Sequence, residues 1–443
     1  MVFDVNKKIL FIQPTPYDSS GKLIKKKKLY FVGLALPLLA ALTPPDWESS
    51  ICLETIEDVP LDTDADVIAI SSMGHAVIRT IDLAKAFKKR GKTVILGGYM
   101  VSLMPEEAKK YCDCVVIGDA EEVWHGVLND IISGDIKPYY QKTLSKLTYP
   151  LPRFDLILNK KIGDFLPVQA GRGCPNVCSF CSVYCLYKTK YYRRDIEDVI
   201  RDIKHIKSLG FKKFLLLDDN ILSDRAYTMK LCKEIEKLNM KWLSQCSVKI
   251  GEDDELLKIA AKSGCVALSF GLESISQESL NSMQKAWADP STYSRLLKNI
   301  RKQGIDLSTE MVVGAEGDTL ESIRATAKFI EDNKVVVPRF YILTPIPGTA
   351  FFKEMEEQNR ICNQDIYSYN GTEAVHKPKN MTPQQLTRAY WELYNEVFTI
   401  KSIVKRTLFH NDFYKRPVMY LFYFGINLFY RYQIKHQITP NII

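Results

Sequence analysis

The sequence predicts an α/β protein in three parts: a Rossmann-like (flavodoxin-like) N-terminal domain, a partial (β/α)6 barrel and a helical C-terminal extension. Three observations carry this. Strand-like apolar runs alternate with amphipathic segments through residues 1–145 and again through 166–355, the order that builds parallel sheets. The proline-punctuated "LTYPLPRFDL" (Leu147 to Leu156) interrupts the alternation and marks a linker over 146–165. Strand signals stop beyond residue 355, leaving a basic, aromatic region to 443. With 443 residues, 46% hydrophobic and 25% charged, the chain has the balance of a two- or three-domain globular protein, not a disordered one.

In the first domain, "KKILFIQP" and "DADVIAISSM" read as strands. "AVIRTIDLAKAFKKRG" has apolar residues at helical spacing and ends at Gly91. "KTVILGGYM" is a buried strand, and "CDCVVIGDAEEVWHGVLND" is a strand, a turn at Gly118 and a helix. A parallel sheet of this kind takes ligands at its C-terminal strand ends. Small and polar residues gather there: Pro14 and Thr15, Ser71 and Ser72, Gly97 and Gly98, Gly118. The run "YFVGLALPLLAAL" (Tyr30 to Leu42), broken by Pro37, reads as core rather than as a leader.

The barrel begins at "FLPVQAGRG" and continues through "KKFLLLDDN", "KWLSQCSVK", "CVALSFGLES", "DLSTEMVVG" and "PRFYILTPIPGT", with helical segments between. Six βα units imply an active site at the C-terminal strand mouth. Asp218, Asp219 and Asn220, Glu273 and Gly314 stand at those ends. Asp195 is placed as the N-cap of "IEDVIRDI".

"GRGCPNVCSFCSVYCLYK" packs four of the eleven cysteines into eighteen residues, directly after the first barrel strand. An odd, scattered cysteine count argues against a secreted disulfide framework and for a reducing cytoplasm. Cys174, Cys178 and Cys181 stand at C-x3-C-x2-C. Three loop thiolates can hold one face of a [4Fe–4S] cluster and leave one iron open. Zinc is the rival metal, but the fourth donor it needs could come only from Cys185, and no second C-x2-C or H-x3-H pair follows.

"GRGCPNVCSFCSV" resembles the signature of radical S-adenosylmethionine (SAM) enzymes. "VILGGYMVSLMPEEA", "VVIGDAEEVW", "FGLESIS" and "KPKNMTPQQL" resemble the subgroup with a cobalamin-binding domain. That resemblance implies that Cys174, Cys178 and Cys181 bind three irons and that SAM chelates the fourth. Reductive cleavage of SAM then yields a 5′-deoxyadenosyl radical. It places Asp218, Asp219 and Asn220 near the SAM amine, and Glu273 near ribose or methionine polar groups. Phe180, Gly314 and Ile342 fall near adenine. Pro14, Thr15, Ser71, Ser72, Gly97, Gly98, Ser102, Gly118 and Glu121 would line cobalamin. No "DxHxxG" motif supplies an axial histidine, and His75 reads as a loop residue.

The function implied is methylation of an unactivated carbon. Two alternatives stay open: a rearrangement, cyclisation or dehydration with cobalamin inert or lost, and an electron-transfer iron–sulfur protein. Asp218–Asn220 could instead cap a helix, and Glu273 could be structural. The expected partners are a small-molecule or lipid-like substrate and an external donor of flavodoxin or ferredoxin type, without nucleic acid. From Val404 onward six Lys/Arg face one acid, with ten Phe and Tyr. That tail is read as a helical cap on the barrel, or else as a peripheral membrane contact. It leaves isoprenoid, lipid and tetrapyrrole substrates open, beside peptides, sugars and antibiotic precursors.

Overall fold

The computed structural model describes residues 7–18, 20–71, 74–365 and 368–440. The chain divides into two compact units, one ending at Pro167 and the other beginning at Val168.

The first unit holds β1 (Lys7–Gln13), β2 (Leu29–Phe31), β3 (Trp47–Leu53), β4 (Val67–Ser71), β5 (Thr93–Gly97), β6 (Cys114–Ile117) and β7 (Tyr139–Gln141). Six of them form a parallel sheet in the order β3-β1-β4-β5-β6-β7. The chain runs outward from β1 to β3 and then returns to the other side of β1. The switch point therefore lies between β1 and β4, where ligands of flavodoxin-like sheets bind. The central strands are almost wholly apolar because helices cover both faces. Leu10, Ile12, Ile68, Ile70, Leu96 and Val115 pack with Leu83, Ala84 and Phe87 of the helix Val77–Lys89.

The open half-barrel starts with β8 (Ile162–Gln169), a strand that begins within the first unit, where its first half pairs with β2, and ends in the second. A two-stranded hairpin, β9 (Gly171–Gly173) and β10 (Tyr191–Arg193), brackets the cysteine loop. Then come β11 (Lys213–Leu217), β12 (Lys241–Cys246), β13 (Cys265–Glu273), β14 (Asp306–Val313) and β15 (Val337–Ile342). β8 stands beside β11, and β11 to β15 pair parallel in chain order. Four crossover helices begin on Asp224, Asp253, Asp289 or Thr319, whose side chains accept from first-turn N–H groups.

Asp195 occupies the expected N-cap position of Ile196–Ser208 but makes no side-chain capping bond. Arg193 pairs with Asp224 at the surface, and Arg194 is buried against Asp202 at 2.8 Å. The C-terminal helices lie in the barrel's unit. Thr382 and Gln385 form a capping box for Pro383–Val397. From that helix the Tyr394 hydroxyl accepts from Phe340 N–H (2.9 Å) and donates to Phe340 C=O (3.1 Å) on β15. Among the described residues no helix is long and apolar enough to cross a membrane.

Candidate functional site

Glycines shape the loop that carries the three cysteines. At Gly171 a Cβ would collide with the Tyr191 hydroxyl, and at Gly173 (φ +90°) it would meet the Lys190 carbonyl. The hairpin therefore needs both glycines to close around the loop. Ser179 N–H donates to Met283 C=O (3.0 Å), and Ser179 C=O accepts from Phe351 N–H (2.9 Å), so the loop is tied down on two sides. Phe180 is half-buried beside it.

All eleven cysteines are free thiols. Burial pushes Cys174, Cys178 and Cys181 up, Cys178 to about 12, and Cys174 and Cys181 add to its shift. Cys178 thus feels both other thiols and Cys181 feels Cys174, and binding to iron would deprotonate them outright. Among the described residues no three His, Cys, Asp or Glu donors converge on a single ion. In a four-iron cluster each thiolate binds its own iron, and a trio spread around a loop suits that geometry. Cys185 donates its S–H to Gly348 C=O at 3.0 Å.

The acids at the strand ends have distinct settings. Asp218, after β11, accepts from the Tyr191 hydroxyl (2.7 Å) and Asn220 N–H (2.9 Å). Burial raises its carboxyl to about 7 against those two bonds. Asp219 accepts from Gly173 N–H at 2.6 Å, which fixes the residue before Cys174. Asn220 accepts from Ser247 N–H (2.9 Å) and caps the turn Ile221–Ser223, so it has a structural share. Glu273 ends β13 with φ +61°, a left-handed backbone that costs a non-glycine residue about 1 kcal/mol or more. Its Oε1 accepts from the buried Lys285 ammonium at 2.7 Å, and Lys285 also donates to Gly271 C=O (2.7 Å).

Burial alone would lower the Lys285 ammonium. Glu273 and the Cys178 and Cys181 thiols outweigh it, and the net shift is upward. Gly271 leaves the space that the Glu273 carboxylate fills. Gly314 (φ +97°) packs on Leu386 and donates N–H to buried Asp318 at 2.8 Å, while Ile342 N–H donates to Gly371 C=O (2.8 Å).

Sequence reasoning missed Lys285, Tyr191 and Asp318. Each is brought to the site by a turn or a hairpin, so no helical or strand period flags it.

In the first unit, Pro14, Thr15, Ser71, Gly97, Gly98 and Gly118 all stand after or at the C-terminal ends of β1, β4, β5 and β6. Ser72 lies outside the described residues, as does the His75 side chain. Thr15 is fully buried with both polar groups used: N–H to Glu54 (3.0 Å) and hydroxyl to Ile24 C=O (2.7 Å). Arg79 holds Glu54 through two nitrogens at 2.9 and 2.6 Å. The Ser102 hydroxyl accepts from Gly118 N–H and donates to Gly98 C=O, both at 2.8 Å, joining the turns after β5 and β6. Thr15 and Ser102 thus shape the rim from beneath. Glu121 is half-buried on the segment after Gly118.

Comparison with known proteins matches these two regions to two family models. Residues 168–330 match the radical SAM superfamily and residues 40–128 the B12-binding domain. The chain is 30% identical over 411 residues to bacteriochlorophyllide d C-12(1)-methyltransferase of Chlorobaculum tepidum, covering 90% of this chain and 89% of that one. It is 29% identical over 395 residues to the C-8(2)-methyltransferase of the same organism, covering 85% and 88%. The radical SAM methyltransferase TsrM of Kitasatospora setae, solved with cobalamin and a [4Fe–4S] cluster, shares the fold with TM-score 0.64. It is 16% identical, over 80% of this chain and 75% of that one.

Proposed function

This chain belongs to the radical SAM superfamily, in the subgroup with a B12-binding domain, and from that premise we propose that it methylates an unactivated carbon on the rim of a tetrapyrrole. It is an enzyme that uses a [4Fe–4S] cluster, SAM and cobalamin. When bound, these groups supply one-electron cleavage of the SAM sulfonium and a methyl group for transfer. The observation that carries the chemistry is a tied-down loop of three cysteines within electrostatic reach of the strand-end acids Asp219 and Glu273. The substrate class rests on similarity along nearly the whole length of two bacteriochlorophyllide methyltransferases.

The chain's own residues would act as follows. Cys174, Cys178 and Cys181 would hold three irons. Asp218, buried with the Tyr191 hydroxyl and Asn220 N–H as its partners, would accept a hydrogen bond from the SAM amine. Lys285 would hold the Glu273 carboxylate toward SAM polar groups, and Gly314 and the backbone near Ile342 would line adenine. In the first unit, Gly97, Gly98 and Gly118 would let the backbone approach a corrin closely. An external one-electron donor of flavodoxin or ferredoxin type completes the proposal.

The substrate reading is tested anaerobically with SAM labelled by a deuterated methyl group and a chlorin carboxylate such as a bacteriochlorophyllide. Label in the recovered pigment is the expected result. Label absent there, with 5′-deoxyadenosine formed, would reject the tetrapyrrole.

Asp218 sets a second expectation. Its carboxyl, raised to about 7, is ionised above that pH and largely neutral one unit below it. Calorimetric SAM affinity of the cluster-loaded enzyme should therefore fall from pH 8 to pH 6, by roughly tenfold more in the wild type than in Asp218→Asn. Equal pH dependence in the two proteins would remove Asp218 from SAM binding.

A further inference from the structure

The last helix, Pro417–Lys435, carries apolar residues on two faces. Its inward face mixes polar anchors with aromatic and apolar contacts. Asn427 is fully buried, donating to Val336 C=O (2.9 Å) and accepting from the buried Arg406 guanidinium (3.1 Å). Tyr423 donates to Asp306 (2.7 Å), and Arg416 holds the same carboxylate through two nitrogens at 2.7 and 3.0 Å. Tyr420, Tyr430 and Ile434 fill the remaining contact.

Its outward face is apolar. Val418, Leu421, Phe422, Leu428, Phe429 and Tyr432 recur at three- and four-residue steps, which puts them on one side. All are exposed, from Leu428 at 37% to Val418 at 80%. A helix packed on a globular core ordinarily turns that stripe inward. Here specific polar bonds hold it outward, and Tyr414, just before the helix, adds an exposed ring at 91%.

The charge beside the stripe is net positive. Arg416 is held by Asp306 and Lys415 lies 3.1 Å from Asp412, while Arg431 and Lys435 follow on the helix, and no acid follows Asp412. We propose that this face docks on the surface of an anionic lipid bilayer, with the helix lying in the interface. Basic groups flanking an aromatic stripe fit a layer that is anionic at its headgroups and apolar just beneath. A second copy of the chain fits less well, because pairing like faces would bring two cationic stripes together.

Full-length protein is sedimented with vesicles of phosphatidylcholine alone or of phosphatidylcholine with a minority of phosphatidylglycerol. The wild type should bind the anionic vesicles about tenfold or more tightly than the neutral ones, less so as salt rises. Phe422→Glu with Phe429→Glu should reduce that binding at least about tenfold. Both positions are exposed, so melting temperature and sedimentation as a single species should be retained. Lys415→Glu with Lys435→Glu should abolish the preference for anionic vesicles. Three outcomes would overturn the proposal. One is wild type that binds neither vesicle. Another is undiminished binding by the Phe422 and Phe429 double variant. The third is a concentration-dependent dimer, without vesicle binding, that the double variant disperses.

Discussion

Cys178→Ala should fail to assemble the iron–sulfur cluster and lose SAM cleavage by more than about a hundredfold, since disturbing even the outer shell of a metal site typically costs ten- to a hundredfold. Cys178 is the most buried of the trio and sits where Lys285 and the other two thiols act on it together. Cys185 is bonded to Gly348 C=O, and Cys246 is buried at the end of β12. Cys185→Ala should therefore keep wild-type iron content and activity. Iron and sulfide analysis of both variants after anaerobic reconstitution checks this. A cluster retained in Cys178→Ala, or lost in Cys185→Ala, would mean that the ligands are misassigned.

Lys285→Met should destabilise the barrel unit by about 3–5 kcal/mol, because it leaves the Glu273 carboxylate buried without its cation. Lys285 and Glu273 are both almost inaccessible to solvent, so water can do little to compensate. The left-handed backbone at Glu273 adds to the cost, since the pair helps hold it there. For a unit of this size the melting temperature should fall by roughly 10 °C. Adding Glu273→Gln removes the orphaned charge, and the double variant should recover more than half of the loss. Thermal denaturation of cluster-free protein reads the effect without involving catalysis. If the double variant melts below the single one, the lysine matters by its packing and not by its charge.

The six barrel strands were legible because buried parallel strands are continuous apolar runs such as "KFLLL" and "VALSF". The cysteine motif was legible because its spacing is local. What stayed hidden depends on distant pairing. β3 reads "WESSICL", polar in its first half, yet it pairs with β1 along all seven residues. β7 and β2 are three residues each, and β9 is "GRG", which has no strand propensity and pairs only because β10 returns after the cysteine loop. Tyr191 reaches the site the same way, and Lys285 through the turn after the helix Gln277–Ser282. Thr15 was visible as a small polar residue at a strand end and Ser102 only through the family resemblance, and the hydrogen bonds of both emerge only with the fold.

Three sulfur ligands and a fourth iron left for SAM are what set this chemistry apart from simple electron transfer. Electron paramagnetic resonance of the anaerobically reduced, reconstituted protein, recorded before and after SAM is added and followed by assay for 5′-deoxyadenosine, reads that arrangement directly. About four irons and four sulfides per chain, a spectrum that changes with SAM, and 5′-deoxyadenosine formed are expected. A reduced cluster whose spectrum ignores SAM, with no nucleoside released, would contradict it.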